Sequence, residues 1–190
     1  MLNEFHNKFL EKNAKLNLIS KNDEKFLREK HIHDSLAIKT VLPPGKHLTL
    51  LDIGTGGGFP AIPIAIEYPE IEVYALDSIR KKINAIEEIK AELGLKNLHP
   101  ICDRAENLTQ KFDIITSRAV APLKALVPYA MPLMKKNGYF IAYKSRKVQE
   151  EIADAKSVLK KFNAKVADII EYELALEENH ARNLVIITNC

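Results

Sequence analysis

Residues 48–60 read LTLLDIGTGGGFP: an apolar run, an aspartate, then four glycines within five residues. Leu48, Leu50, Leu51 and Ile53 are near-continuous rather than alternating, the pattern of a central parallel strand covered by helices on both faces. Gly54, Gly56, Gly57 and Gly58 then supply backbone that lacks a Cβ and reaches positive φ, so another molecule can lie directly against the main chain. Phe59 and Pro60 follow, and Pro suits the first turn of a helix. Strand, glycine loop and helix in that order place the loop at the carboxyl end of a strand in an open α/β sheet, where ligands bind.

The spacing narrows the ligand. A dinucleotide fingerprint needs glycine at the sixth place from Gly54, where this chain has Phe59, and the Gly-Lys-Ser/Thr of a P-loop is absent. A second strand, residues 71–76 (IEVYAL), ends in Asp77, where an acid can accept hydrogen bonds from both hydroxyls of a ribose. The expected ligand is a nucleoside without a pyrophosphate bridge. The bland alternative is a glycine turn that merely closes a tight βα connection. Loop, acid and modest length together resemble the S-adenosylmethionine (AdoMet) methyltransferases of the Rossmann-like class.

With 190 residues the chain suits one well-buried domain. Its 46% hydrophobic and 28% charged residues fit a soluble globular protein, and no apolar run approaches the roughly 18 residues of a membrane span. MLNEFHNKFLEKN has no signal-peptide h-region, so a cytoplasmic location is expected. Cys102 and Cys190 indicate neither a disulfide framework nor a zinc site. The net charge of +3 permits an anionic partner without demanding one.

In chain order, Leu2, Phe5, Phe9, Leu16 and Leu18 predict an amphipathic helix ending near Asn17. Ser20 or Asn22 can cap a second helix reaching about Val41, stopped by Pro43, Pro44 and Gly45. On it His31, Asp34 and Ser35 share a face while His33 points elsewhere, which argues against a His31–His33 metal pair. Helix docking is the plainer role for His31 and Asp34. A helix over 78–93 carries a core stripe of Ile79, Ile83, Ile86 and Ile89 before Gly94. Further strands are expected at 98–102, 112–117 and 139–143, the last after an Asn137-Gly138 turn. A helix over 123–134 is interrupted by Pro128 and Pro132, and a long helix covers 148–162. Strands 166–172 and 183–188 then pair as a hairpin across the acidic turn at 177–179. The prediction is a seven-stranded, mostly parallel α/β sheet with helices on both faces. Residues 1–45 form an N-terminal helical extension and 46–190 the ligand-binding core of a single domain.

Several motifs together are similar to those of one bacterial family. They are LNLIS (16–20), HIHDSL (31–36), DIGTGGGFPAIPIAI (52–66), LDS (76–78), DRAE (103–106), SRAVAPL (117–123) and the basic end of the fifth strand. The family is RsmG, also called GidB, the AdoMet-dependent methyltransferases acting on guanine N7 in the 16S rRNA of the small ribosomal subunit. The resemblance implies the class I methyltransferase fold and AdoMet contacts at Gly54, Phe59, Asp77, Ser78, Ile79, Ala105, Glu106 and Arg118. The loop reading adds Asp52, Gly56 and Gly58, with the glycines facing the methionine part, Asp77 the ribose and Ala105-Glu106 the adenine edge. This chain has Ser145 where the family usually has Gly, and Asn183 where it has His.

The missing motifs agree. Exocyclic amine methylation goes with an Asn/Asp-Pro-Pro-Tyr/Phe loop after the fourth strand, where this chain has Ser117-Arg118-Ala119. Methylation of a pyrimidine carbon needs a thiolate nucleophile, and Cys102 reads instead as a buried apolar residue. Guanine N7 carries a lone pair and no proton, so no general base is required. Arg118 is the expected catalytic residue, on the AdoMet carboxylate, an RNA phosphate or the guanine edge; its structural alternative is an ion pair with Asp52 or Asp103. Lys144, Arg146, Lys147 and Arg182 are expected to bind RNA, with Lys8, Lys12, Lys15 and Arg28 adding to that face. No metal, no membrane and a monomer are expected. The competing readings are a small-molecule methyltransferase, which an enclosed apolar pocket would favour, and a non-catalytic AdoMet- or RNA-binding module.

Overall fold

The computed structural model describes every residue except Pro44 and residues 177–179, so the acidic turn expected there lies outside the described residues. Seven strands form one sheet: β1 (Leu48–Ile53), β2 (Ile71–Asp77), β3 (Leu98–Cys102), β4 (Phe112–Arg118), β5 (Met134–Lys144), β6 (Ala164–Leu174) and β7 (His180–Asn189). Their order is β3-β2-β1-β4-β5-β7-β6. The first five run parallel, and β7 pairs antiparallel with both β5 and β6. β1 and β4 are central neighbours, where the sequence order reverses, and the carboxyl ends of such strands face a crevice.

Helices cover both faces, dividing the core into two apolar clusters. One holds Phe5, Phe9, Ile62, Ile83, Ile86 and Ile89, beneath α1 (Leu2–Leu16), α4 (Ala61–Glu67) and α5 (Arg80–Leu93). The other holds Leu51, Ile115, Leu126, Phe140 and Leu159, beneath α6 (Leu123–Ala130) and α7 (Val148–Lys161). α5 shows how sequence sets the layer: Ile83, Ile86, Ile89 and Leu93 return to one face every three or four residues, and Gly94 ends the helix at φ 67°. Ile79 does not join that stripe. It precedes the helix and is 42% exposed.

Two other expectations are corrected. β5 starts at Met134, and Asn137-Gly138 falls in a register shift opposite Phe112 and Ile114 rather than in a turn before the strand. The helix expected over 20–41 is four short pieces: α2 (Lys21–Glu24), a π-helical stretch (Leu27–His33), α3 (Asp34–Leu36) and a 3-10 turn (Ala37–Thr40). Ser20 caps α2, its hydroxyl accepting from the Asp23 amide at 3.2 Å. Within the π-turn the Lys30 carbonyl faces the crevice and accepts from Arg118 at the end of β4. α1 docks on α5 through Lys8–Glu92 and Lys12–Glu92 at 3.1 and 2.9 Å, with Lys12 also on Glu88. Lys8 and Lys12, expected on an RNA face, are therefore spent on helix docking. Arg28 likewise donates to Asn3 at 3.0 Å, whereas Lys15 is exposed.

Candidate active site

β1 leaves the sheet at Ile53, and the amides of Gly54 and Thr55 both donate to the Leu76 carbonyl, each at 2.9 Å. This ties the loop to the strand that carries Asp77. Gly54, Gly56 and Gly58 have φ of 72°, 59° and 95°, a region that side-chain-bearing residues avoid. Their surroundings separate their roles. A Cβ on Gly56 would meet nothing closer than 4.0 Å, so the main chain there is open to a ligand. One on Gly54 would strike Val120 at 2.5 Å, and one on Gly58 would strike Ile62 at 2.4 Å. A side chain on Gly58 would thus point into the core, and unlike Gly54 and Gly56 this residue is absent from the lining of the cavity over the loop. Gly57 lies against Phe9.

A cavity of about 540 Å³ lies over the loop, lined by Gly54, Gly56, Phe59, Asp77, Ser78, Ala105, Glu106 and Arg118 among others. Eight of the eleven residues expected to bind AdoMet line it. Asp77 is 8% exposed; its Oδ2 accepts from the Gly56 amide at 3.0 Å and its Oδ1 from the Ile79 amide at 2.9 Å. Lys82 Nζ lies 3.6 Å from Oδ2, and beside these partners each carboxylate oxygen still has acceptor capacity for a ribose hydroxyl. Asp52, like Gly58 and Ile79, does not line the cavity; it is buried beneath the loop. Its Oδ1 accepts from Thr116 at 3.0 Å, Oδ2 has no partner among the described residues, and burial pushes its pKa up to about 6. It supports the loop from below rather than lining the cavity. Ile79 likewise contributes its amide to Asp77 while its side chain stands outside the lining. Cys102, expected to be buried, is only half-buried, with its thiol 3.9 Å from the Ser78 carbonyl.

Arg118 closes the cavity's inner wall. Its Nη1 donates to the Lys30 carbonyl at 2.9 Å and to Asp34 Oδ2 at 2.8 Å, and its Nη2 donates to His31 Nδ1 at 2.9 Å. The ion-pair partner is therefore Asp34, not Asp52 or Asp103. Because a guanidinium only donates, His31 Nδ1 is an acceptor and the imidazole proton resides on Nε2. Burial first, then the Arg118 charge, hold the His31 pKa down to about 4, so the ring is neutral. Asp34 also accepts from Tyr172 Oη on β6 at 2.6 Å, and burial pushes the Tyr172 hydroxyl pKa well up. Of the five guanidinium protons, Nε–H and one on Nη2 have no acceptor among the described residues. Nε is buried as well as unpartnered among those residues.

The roof of the cavity is not apparent from the sequence. The Phe59 ring, 3% exposed, lies 5.6 Å from Phe5, 4.9 Å from Phe9 and 5.1 Å from His31, with the Arg118 guanidinium 5.4 Å away. The four-residue spacing of Phe5 and Phe9 marks a buried helix face but does not say that the face covers the glycine loop. Lys82 and Tyr129 also reach the cavity, from positions outside the motifs, and Val120 reaches it from within SRAVAPL.

A second cavity, about 610 Å³, adjoins the first and shares His31, Arg118, Ala119, Val120 and Ala121 with it. Arg182 lines it. Lys144 lines it too, but pairs with Glu151 at 2.7 Å and donates to the Ala121 carbonyl at 2.7 Å. At 9% exposure it fastens β5 to α7, correcting its expected place on an RNA surface. Arg146 and Lys147 are exposed in the turn that follows. Among the described residues no group of acids, histidines and cysteines is arranged to hold a metal.

The family model described as rRNA small subunit methyltransferase G, GidB, matches residues 1–189. The chain belongs to this family. Among its relatives, the Ribosomal RNA small subunit methyltransferase G of Desulfitobacterium hafniense is 40% identical over 182 residues, covering 93% of this chain and 75% of that one. The protein of that name from Listeria monocytogenes is 36% identical over 196 residues, covering 98% and 82%. In fold the chain is similar to M. jannaschii TYW2 in complex with AdoMet, with a TM-score of 0.66, 17% identity, and 84% and 76% of the two chains covered. It is also similar to the ribosomal protein L11 methylase of Lactobacillus delbrueckii subsp. bulgaricus, with a TM-score of 0.61, 20% identity, and 83% and 77% covered. At these identities the structures bear on architecture alone, and the architecture is that of the class I, Rossmann-like methyltransferases. Family membership brings the loop motifs and the cavity geometry under one heading.

Proposed function

We propose that this protein transfers the methyl group of AdoMet to N7 of a guanine in the 16S rRNA of the small ribosomal subunit. The observation that carries this reading is the cavity in which open main chain at Gly56, the Asp77 carboxylate and the Arg118 guanidinium converge. The residues suit the cofactor. Asp77 takes the ribose hydroxyls, the Ala105-Glu106 backbone the adenine edge, and Arg118 the methionine carboxylate. Gly56 leaves the main chain bare beside the methionine part, with Gly54 next to it beneath Val120; Phe59 and Ser78 complete the wall, and Asp52 and Ile79 act through the loop and through Asp77. Bound AdoMet supplies an activated methyl group on a sulfonium.

The chain's own task is then placement. Guanine N7 attacks with its lone pair and gives up no proton. His31 suits a site without a base, since its Nδ1 is committed to Arg118 and its pKa lies far below neutrality. Holding nucleophile and methyl carbon in line accounts for roughly 7 to 11 kcal/mol of barrier lowering. Arg146, Lys147 and Arg182 are the cations we assign to RNA phosphate, with Lys144 withdrawn to a structural role. The cavities are open and bordered by Lys30, Arg118 and Arg182, unlike the enclosed apolar pocket of a small-molecule enzyme. We read residues 1–45 as an extension of a single domain built on 46–190, acting as a monomer in the cytoplasm. The deciding experiment is transfer of radiolabelled methyl from AdoMet to unmodified small subunits, with the label located by cleavage chemistry specific for N7-methylguanosine. Label elsewhere, or none from protein that binds AdoMet, overturns the reading.

A further inference from the structure

The second cavity has features that the methyl-donor site leaves unexplained. Among the cations in its lining, Lys30 is 3.3 Å from Asp23, Arg118 is 2.8 Å from Asp34 and Lys144 is 2.7 Å from Glu151. Arg182 is paired with no carboxylate among the described residues, and its Nε is buried without a hydrogen-bond partner there. The partition between the two cavities is also unusual: Ala119, just beyond β4, holds φ at 56°, where a residue with a Cβ is strained. That backbone turn sets Val120 directly over Gly54 and gives the partition one face toward each cavity.

We propose that the second cavity receives the target guanine nucleotide, swung out of the RNA fold, with Arg182 on its phosphate and the Ala119–Ala121 partition presenting N7 to the methyl donor. This rests on the methyltransferase reading and deepens it. The volume of about 610 Å³ lies in the range of roughly 300–1,000 Å³ typical of small-molecule sites, so a whole nucleotide is accommodated rather than a lone phosphate. An enzyme that must bring a base atom into line with its methyl donor commonly extrudes the nucleotide into a pocket. The lining also suits guanine over adenine. Glu151 uses Oε2 on the Leu123 amide and on Lys144, leaving Oε1 as an acceptor for the N1–H and amino group that guanine offers. Adenine presents an acceptor at N1, which a carboxylate repels.

Two variants that leave the methyl-donor lining untouched test the assignment. Arg182→Gln removes the uncommitted charge, and Ser145→Trp fills the second cavity from an exposed position that lines it alone. Steady-state methylation of unmodified small subunits is measured beside calorimetric AdoMet affinity. Ligand-observed NMR with guanosine and adenosine monophosphates, on protein saturated with S-adenosylhomocysteine, gives a readout independent of turnover. Arg182→Gln should lower kcat/KM for subunits by about 10- to 150-fold, the loss of one charge-assisted hydrogen bond. Ser145→Trp should lower it below about a hundredth, and both should keep AdoMet affinity within about twofold. Wild type should show saturation transfer to guanosine monophosphate in preference to the adenosine compound, and Ser145→Trp should abolish it. If both variants methylate within about twofold of wild type, or if saturation transfer to guanosine monophosphate persists in Ser145→Trp, the nucleotide sits elsewhere. Wild-type protein that binds guanosine monophosphate here yet methylates no guanine would refute the activity and leave the pocket standing.

Discussion

Replacing Asp34 should be among the costliest single changes in the molecule. The side chain is 4% exposed and takes a hydrogen bond from Tyr172 Oη at 2.6 Å and an ion pair from Arg118 at 2.8 Å. Asp34→Ala leaves a buried hydroxyl without its acceptor and a guanidinium without its counter-charge; breaking a buried pair from one side costs about 3 to 5 kcal/mol. At a urea slope of about 2 kcal/mol per molar, that lowers the unfolding midpoint by roughly 2 M. Asp34→Asn keeps an acceptor for Tyr172 but removes the charge, and should cost about 1.5 to 3 kcal/mol. Asp34→Leu combined with Arg118→Met, which removes the pair whole, should recover much of the stability while AdoMet affinity stays lost. Urea titrations of Asp34→Leu, Arg118→Met and the double variant form a double-mutant cycle, and the coupling energy should exceed about 2 kcal/mol. Independent, additive effects, or an Asp34→Ala protein within about 1 kcal/mol of wild type, would refute the view that this pair anchors the wall between the cavities.

Asp77→Ala should weaken AdoMet binding by roughly 10- to 150-fold by calorimetry, and an unchanged affinity in folded protein removes Asp77 from the ribose. Gly56→Val should abolish AdoMet binding while the protein stays folded by circular dichroism, because its side chain enters open cavity space at a positive φ; normal binding would show that no ligand approaches there. Acid stability should carry two opposed terms. His31, depressed from 6.5 to about 4, contributes stability that is present above pH 6.5 and lost as pH falls through 4; Asp52, raised from 3.8 to about 6, contributes stability that is present below pH 3.8 and lost as pH rises through 6. His31→Gln should therefore flatten the loss of stability between about pH 6 and 4, and Asp52→Asn should steepen it; urea midpoints across that window read both signs. Replacing Arg146 and Lys147 by Ala should reduce the magnitude of the slope of log RNA affinity against log salt by about 0.7 to 0.9 for each phosphate left without its cation, whereas Lys144→Ala should lower stability and leave the slope unchanged.

The legible parts of the molecule are those written in local sequence. A glycine loop between an apolar run and a helix, and an acid ending the next strand, need no distant residue to be recognised. Arg118 is found by position, but its partner is not, because a pair separated by 84 residues leaves no periodic trace. The π-turn at Leu27–His33 is hidden for a related reason: every residue in LREKHIH tolerates an ordinary helix, and nothing local announces that the Lys30 carbonyl within it accepts from Arg118, 88 residues away. Lys144 shows the opposite error. A run of cations reads as solvated surface or as an RNA-binding patch, and nothing in its local pattern reveals that Glu151, one helical turn into α7, takes the first of them out of play.

The same long-range wiring sets an order of events during synthesis. The glycine loop and its acid are complete once β2 has been made, but Arg118 is held by Asp34, and Asp34 by Tyr172, 138 residues further along the chain. Contacts of such sequence separation form late, since a large loop must close before they yield any stabilisation. A nascent chain that ends before β6 therefore has the cradle for the methyl donor without the anchor for its inner wall. The inner wall is complete only when β6 has delivered Tyr172 to Asp34, so the cradle for the methyl donor precedes, in the order of synthesis, the pair that holds Arg118 against it.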